Sequence, residues 1–245
     1  MARRARITVP GVPHHVMQRG NRREAIFFEA GDQEIYLDLL AEQLRRCGVA
    51  CWTYCLMKDH VHLILTPSDE TGLSRALGEA HRRYTSFIGS RNRWTGHLFQ
   101  GRFSSVAMDE DHLLAALRSV ALKPVMAQLV GSAEDWLWSS VRAHLAGKST
   151  KYVDVEPALD RVGAFADFLG AADETDDLWN AVLKSEVTGR PVGSPTWLRA
   201  LEDRLGYTVT PQKRGPKPKV KTSDGARGSP PVPRPKRTNS KPHKK

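Results

Sequence analysis

Apolar positions along the first 125 residues follow two alternating periods. Ile7–Gln18 carries β-branched residues near both ends with Pro10 and Pro13 between them, which predicts an edge or bulged strand. From Gly31-Asp32 the spacing becomes helical, with Ile35, Tyr36, Leu39, Leu40, Ala41 and Leu44 on one face, until Gly48 ends the helix. Val49–Met57 and His60–Thr66 read as two strands joined through Lys58-Asp59, with Pro67 stopping the second. A second helix fits residues 70–89 through Leu73, Leu77, Ala80, Tyr84 and Phe87. A strand broken by Gly101 fits His97–Met108. Asp109-Glu110-Asp111 then opens a helix that suits the positive end of a helix dipole, and Pro124 is expected to close it. The order βαββαβα predicts an α+β ferredoxin-like sandwich over residues 1–147, an antiparallel sheet with helices packed on one face.

Beyond that domain the pattern changes. Residues 148–210 read as a helical extension in which Ser194 and Pro195 start a helix with Trp197, Leu198, Leu201 and Leu205 on one face. Residues 211–245 hold eight of the fifteen prolines and almost nothing apolar, the composition of a disordered tail.

Charge sharpens this division. The chain of 245 residues has a net charge of +10, but residues 1–149 carry +4, residues 150–210 carry −5 and residues 211–245 carry +11. A basic total is therefore a poor argument for nucleic-acid binding, and the case rests on local patches. Arg19, Arg22 and Arg23 cluster without an acid among them. Arg75, Arg82, Arg83, Arg91, Arg93 and Arg102 lie in a stretch whose one acid is Glu79, interleaved with Tyr84, Phe87, Trp94 and Phe99. Basic and aromatic side chains together suit a single-stranded DNA surface. No apolar run approaches the ~18 residues of a membrane span, and no apolar stretch follows the basic N-terminus, so a cytoplasmic protein without a membrane partner is expected. Cys47, Cys51 and Cys55 match no usual metal spacing; Cys51 and Cys55 are expected on one strand face as buried small apolar groups.

The chemistry centres on His60 and His62. Strand side chains alternate, so both imidazoles face the same way and form half a site for a divalent metal. A single histidine packed in the core is the bland alternative for such a pair.

The run Leu56-Met57-Lys58-Asp59-His60-Val61-His62-Leu63-Ile64 resembles the His-hydrophobic-His strand of the HUH endonuclease superfamily, and more narrowly the REP-associated tyrosine transposases, a branch of the single-tyrosine HUH transposases. The same resemblance is carried, in colinear order, by Pro10–Arg23, by His81 with Tyr84, by Gly96–Phe103, by Pro124-Val125 and by Trp138–Leu145; Thr188–Ser194 is similar to the extension of longer members. It implies binding of imperfect hairpins in single-stranded DNA, a divalent metal (Mg or Mn) on His60 and His62 that polarises a phosphate, and attack by a tyrosine to give a 5′-phosphotyrosine link. It also implies a DNA surface that includes Arg19, Arg22, Arg23, Arg82, Arg83, Tyr84 and Arg102.

Aligning the family's Pro on Pro124 places its tyrosine at Ser119 and its third metal ligand, an asparagine, at Lys123. A serine hydroxyl is a far weaker acid than a phenol and shorter by a ring; a lysine ammonium puts a cation where a neutral ligand is expected, so it swings away, lowers metal affinity or contacts the DNA phosphate directly. Three readings follow: a DNA strand transferase by ancestry, acting as monomer or homodimer; a hairpin-binding or regulatory protein that has lost the nucleophile; and a metal-dependent hydrolase that uses activated water.

Overall fold

The structure is a computed structural model that describes residues 6–171 and 176–211. The expected tail lies outside these residues apart from its first position.

Four strands form one antiparallel sheet in the order β2-β3-β1-β4: β1 His14–Arg19, β2 Val49–Leu56, β3 His60–Pro67 and β4 Ser104–Ala107. Helix α1 (Asp32–Arg46) follows β1, α2 (Gly72–Arg91) follows β3 and α3 (Glu110–Met126) follows β4. This is the α+β ferredoxin-like order. Five further helices follow among the described residues: α4 Val141–Leu145, α5 Glu156–Val162, α6 Phe165–Gly170, α7 Asp176–Glu186 and α8 Pro195–Leu205.

The sheet has a helix layer on each face. Val16, Val61, Leu63 and Leu65 pack with α1 and α2, including Tyr36, Leu40, Leu77 and Tyr84. Cys55, Ile64 and Val106 point the other way and pack with Leu113, Leu117 and Val120 of α3 and with Trp179 and Val182 of α7. The expectation of helices on one face thus holds for α1 and α2, while α3 covers the opposite face. The reason lies in the strands, whose alternate positions are apolar on both sides and need cover on both.

Several local expectations change. β1 starts only at His14 and is a central strand between β3 and β4. Its prolines lie ahead of it, in a turn where Gly11 adopts φ +73° and the Val12 amide donates to the Val9 carbonyl. β4 is shorter than the expected His97–Met108, because residues 97–101 form a loop whose Phe99 bridges Gly20. Pro124 lies inside α3, which runs on to Met126; proline lacks only its own amide there, and the Ala127 amide still reaches the Lys123 carbonyl at 3.0 Å. A bulge between Cys51 and Thr53 turns Cys51 toward the α1/α2 core and leaves Cys55 in the α3 core, so the two cysteines do not share a face.

Residues 148–210 do not form a separate body. The described residues up to Thr210 make one compact unit, with Val153 and Val155 in the α1/α2 core and Leu201 packed with Val9 and Ala107. Two side-chain caps define key helix starts: Asp109 accepts from the His112 amide ahead of α3, and Ser194 accepts from the Trp197 amide ahead of α8. The second Asp109 oxygen accepts from the Ser194 amide at 2.7 Å, which ties the two helix starts together.

Candidate metal and DNA site

His60 and His62 stand on β3 with Ile64 on the α3 side of the sheet, and β1 brings Arg19 opposite His60 and Met17 opposite His62. A pocket of about 400 Å³ opens there, lined by Arg19, Met57, His60, His62, Lys123, Met126, Leu183 and Glu186. The two imidazoles lie edge to face with centroids 5.0 Å apart.

Each histidine has one nitrogen committed. His60 Nδ1 donates to Asp59 Oδ1 at 2.6 Å, which leaves Nε2 as its lone-pair nitrogen. His62 Nδ1 is 2.9 Å from His15 Nε2, and its Nε2 makes no hydrogen bond among the described residues. Burial lowers the pKa of both, well below the usual value for His62, whose proton is further disfavoured by His15, His60 and Lys123; Asp59 opposes the shift at His60. Neutral imidazoles with a free nitrogen on one pocket wall are a donor set that a divalent ion accepts.

The third corner of the site comes from α7. Glu186 lines the pocket, and its carboxylate, His15 and His62 hold ligand-capable atoms within 4.8 Å of one another, the one such cluster of three or more His, Cys, Asp or Glu among the described residues. Burial raises the Glu186 pKa to about 7 against the pull of Arg19 and Lys123. Trp179, seven residues earlier on the same helix, packs edge-on to His15 at 5.0 Å and to His62 at 6.2 Å. Lys123 places Nζ 5.3 Å from the Trp179 ring centroid; burial lowers its pKa and Glu186 supports its charge. Neither Trp179 nor Glu186 stands out in the sequence. The nearest signal is Thr188–Ser194, which begins two residues after Glu186. His15 is visible within the Pro10–Arg23 motif, but its partner is not.

Ser119 is 7% exposed on α3 and does not line the pocket, to which α3 contributes Lys123 and Met126. The basic residues divide. Arg19 lines the His60/His62 pocket. Arg22 and Arg23 are exposed, both with left-handed backbone (φ 54° and 63°), in the short turn of helix at Asn21–Arg23. Exposed Arg82 forks onto Glu79 at 2.7 and 2.8 Å and lines a second groove with Asn21, His81, His97 and Gln100. Arg83 is held by Glu42 of α1 at 2.8 Å. Arg102 is exposed beside Phe103 in a cleft that also contains Glu186. Tyr84 corrects an expectation: it is 0% exposed and donates its hydroxyl to the Ile26 carbonyl at 2.8 Å, so it is a core residue and does not reach DNA. A larger apolar pocket of about 590 Å³, lined by Phe27, Phe28, Trp136, Leu137 and Trp138, meets the His60/His62 pocket at Met57.

Comparison with known proteins agrees with this architecture. The structure of a REP-associated tyrosine transposase bound to a REP hairpin is similar with a TM-score of 0.52 and 19% identity, over 63% of this chain and 93% of that one. A structure described as a transposase of Deinococcus radiodurans is 20% identical over 48% of this chain and 94% of its own, with a TM-score of 0.35. No curated protein matches. The family model of IS200-like transposases matches residues 8–123, which span the four strands and nearly all of the first three helices. Over those residues this chain is similar to the IS200-like transposase family.

Proposed function

We propose that this protein binds hairpin-forming single-stranded DNA at the His60/His62 pocket and does not form the covalent tyrosine link of its family. The observation that carries this reading is the α3 wall of the pocket. It presents Lys123 and Met126, while Ser119 lies buried outside the lining and no tyrosine among the described residues lines the pocket. A serine hydroxyl there has neither the reach nor the acidity for the attack, which needs an approach to about 3 Å.

The residues present support the rest. Arg19 and Lys123 supply positive charge at the pocket, and Arg22, Arg23, Arg82 and Arg102 extend it over exposed surface. The neighbouring Phe28/Trp136/Leu137 pocket has the apolar walls on which an unpaired base stacks. His60 and His62 would hold Mg²⁺ or Mn²⁺, which when bound supplies Lewis acidity toward a phosphate. The REP-associated relative in complex with a REP hairpin makes a hairpin the first ligand to try.

The test mixes the full chain with end-labelled hairpin DNA and Mg²⁺ or Mn²⁺. The expected result is a salt-sensitive shifted band on a native gel and no adduct on a denaturing gel. An adduct, or no shift at low salt, overturns the reading.

A second reading has one observation in its favour, a partly buried carboxylate, Glu186, in the pocket with a pKa near that of a general base. It makes the protein a hydrolase that uses activated water. It predicts nicking without an adduct, abolished by His60→Ala.

A further inference from the structure

We propose that Glu186 of the C-terminal extension sets, through His15, which nitrogen of His62 is free for a metal ion. This deepens the metal reading above and rests on it. The sequence of contacts is Glu186 Oε1 to His15 Nδ1, 3.4 Å; His15 Nε2 to His62 Nδ1, 2.9 Å. His15 is fully buried and does not line the pocket, whereas His62 does.

The logic is one of counting protons. At a pH of about 8, above the ordinary imidazole range, His15 and His62 are neutral. A neutral imidazole has one N–H and one lone pair. The bond between the two rings runs in either direction on geometry alone. An ionised carboxylate only accepts, so Glu186 selects the His15 tautomer protonated at Nδ1. His15 Nε2 is then an acceptor, His62 Nδ1 must carry the proton, and His62 Nε2 is left as a bare lone pair on the pocket wall. The opposite tautomers would protonate His62 Nε2 and block it.

Two further observations favour this arrangement. His15 Nδ1 and Glu186 Oε1 are both buried, neither has a hydrogen-bond partner among the described residues, and at 3.4 Å each is in charge contact with the other. Asp59 does the same for His60 directly, at 2.6 Å, which frees the same nitrogen on the second ring. A carboxylate behind each ligand is the usual way a protein aims histidine at a metal. Trp179, edge-on to the His15 ring, holds its plane. Glu186 and His15 are on this account positioning residues, and His60 and His62 are the ligands.

The test reads the tautomer in metal-free, DNA-free full-length protein, with ¹⁵N-labelled histidine and long-range ¹H–¹⁵N correlation at a pH of about 8, where Glu186 is ionised. Histidine-to-alanine variants assign the rings. The expected result is a proton on Nδ1 of both His15 and His62, and a shift of His62 toward the Nε2–H form in Glu186→Leu. Mn²⁺ titration should then show a fall in affinity of about 10- to 100-fold in Glu186→Leu and loss of binding in His60→Ala. A wild-type His62 protonated on Nε2 overturns the proposal. So does unchanged Mn²⁺ affinity in His60→Ala, which would make His15, His62 and Glu186 the ligands themselves. Neither readout involves DNA, so failure here is separable from failure of hairpin binding.

Discussion

The ammonium of Lys123 lies 5.3 Å from the ring centroid of Trp179, so a residue of the α3 wall is engaged by a helix that follows it by more than fifty residues. Trp179 is buried at 4% exposure and touches both His15 and His62. Its replacement by alanine should cost about 3 kcal/mol of unfolding free energy, read from the denaturant midpoint at constant slope. A loss under about 1 kcal/mol would show that α7 is not packed on the sheet.

Metal binding should register as stability. With Mn²⁺ at about 100 times its dissociation constant, the folded state gains about 2.7 kcal/mol, and a chelator reverses the gain. A Tm that rises with Mn²⁺ equally in wild type and in the His60→Ala, His62→Ala double variant would remove the metal from these residues.

Position 119 should resist enlargement. Ser119 is buried on α3, so Ser119→Tyr adds a ring to a packed wall and should destabilise by about 1–3 kcal/mol. If Ser119→Tyr with Lys123→Asn is instead as stable as wild type and forms a covalent adduct with hairpin DNA, the pocket has room for the family's nucleophile, and burial is not what keeps it out.

Tyr84 and the exposed arginines should separate cleanly. Arg22→Ala with Arg23→Ala should weaken hairpin binding and reduce the salt slope by about one for every phosphate that is no longer neutralised, with little change in Tm. Tyr84→Phe should leave affinity unchanged and cost about 1 kcal/mol by removing the hydrogen bond to Ile26. Weaker DNA binding in folded Tyr84→Phe would return that residue to the interface.

Asp32 links stability to pH. Its buried carboxylate accepts from the Phe28 and Glu29 amides and from two Arg91 nitrogens, and these bonds hold its pKa below the ordinary value against the opposing effect of burial. A lowered folded-state pKa contributes stability that is complete above the unfolded value of about 3.9 and is lost as pH falls through the folded one. Wild type should therefore lose stability below about pH 4 more steeply than Asp32→Ala. That variant should already be weaker by about 2 kcal/mol at neutral pH, because two amides lose their acceptor. Parallel acid profiles for the two proteins would assign the effect elsewhere.

What the chain determines locally is readable from its residues. The period-2 spacing of His60 and His62 places them on one face; helical spacing and Asp109 define α3; the motif order anticipates the family. Tertiary structure decides everything that depends on which distant segment covers a face. Periodicity shows that a face needs cover, not what supplies it, so α3 opposite α1 and α2 is not visible in the sequence, nor is α7 over the histidines. Tyr84 at helical spacing reads equally as core or as an aromatic beside DNA until Ile26 is found against its hydroxyl. A single bulge at Cys51/Thr53 reverses the face of every residue before it, and alternation alone cannot reveal that. The His60/His62 pair is thus determined by the sequence. Its partners His15, Trp179 and Glu186 meet it only because sheet register and helix packing bring separate stretches of chain to one buried point.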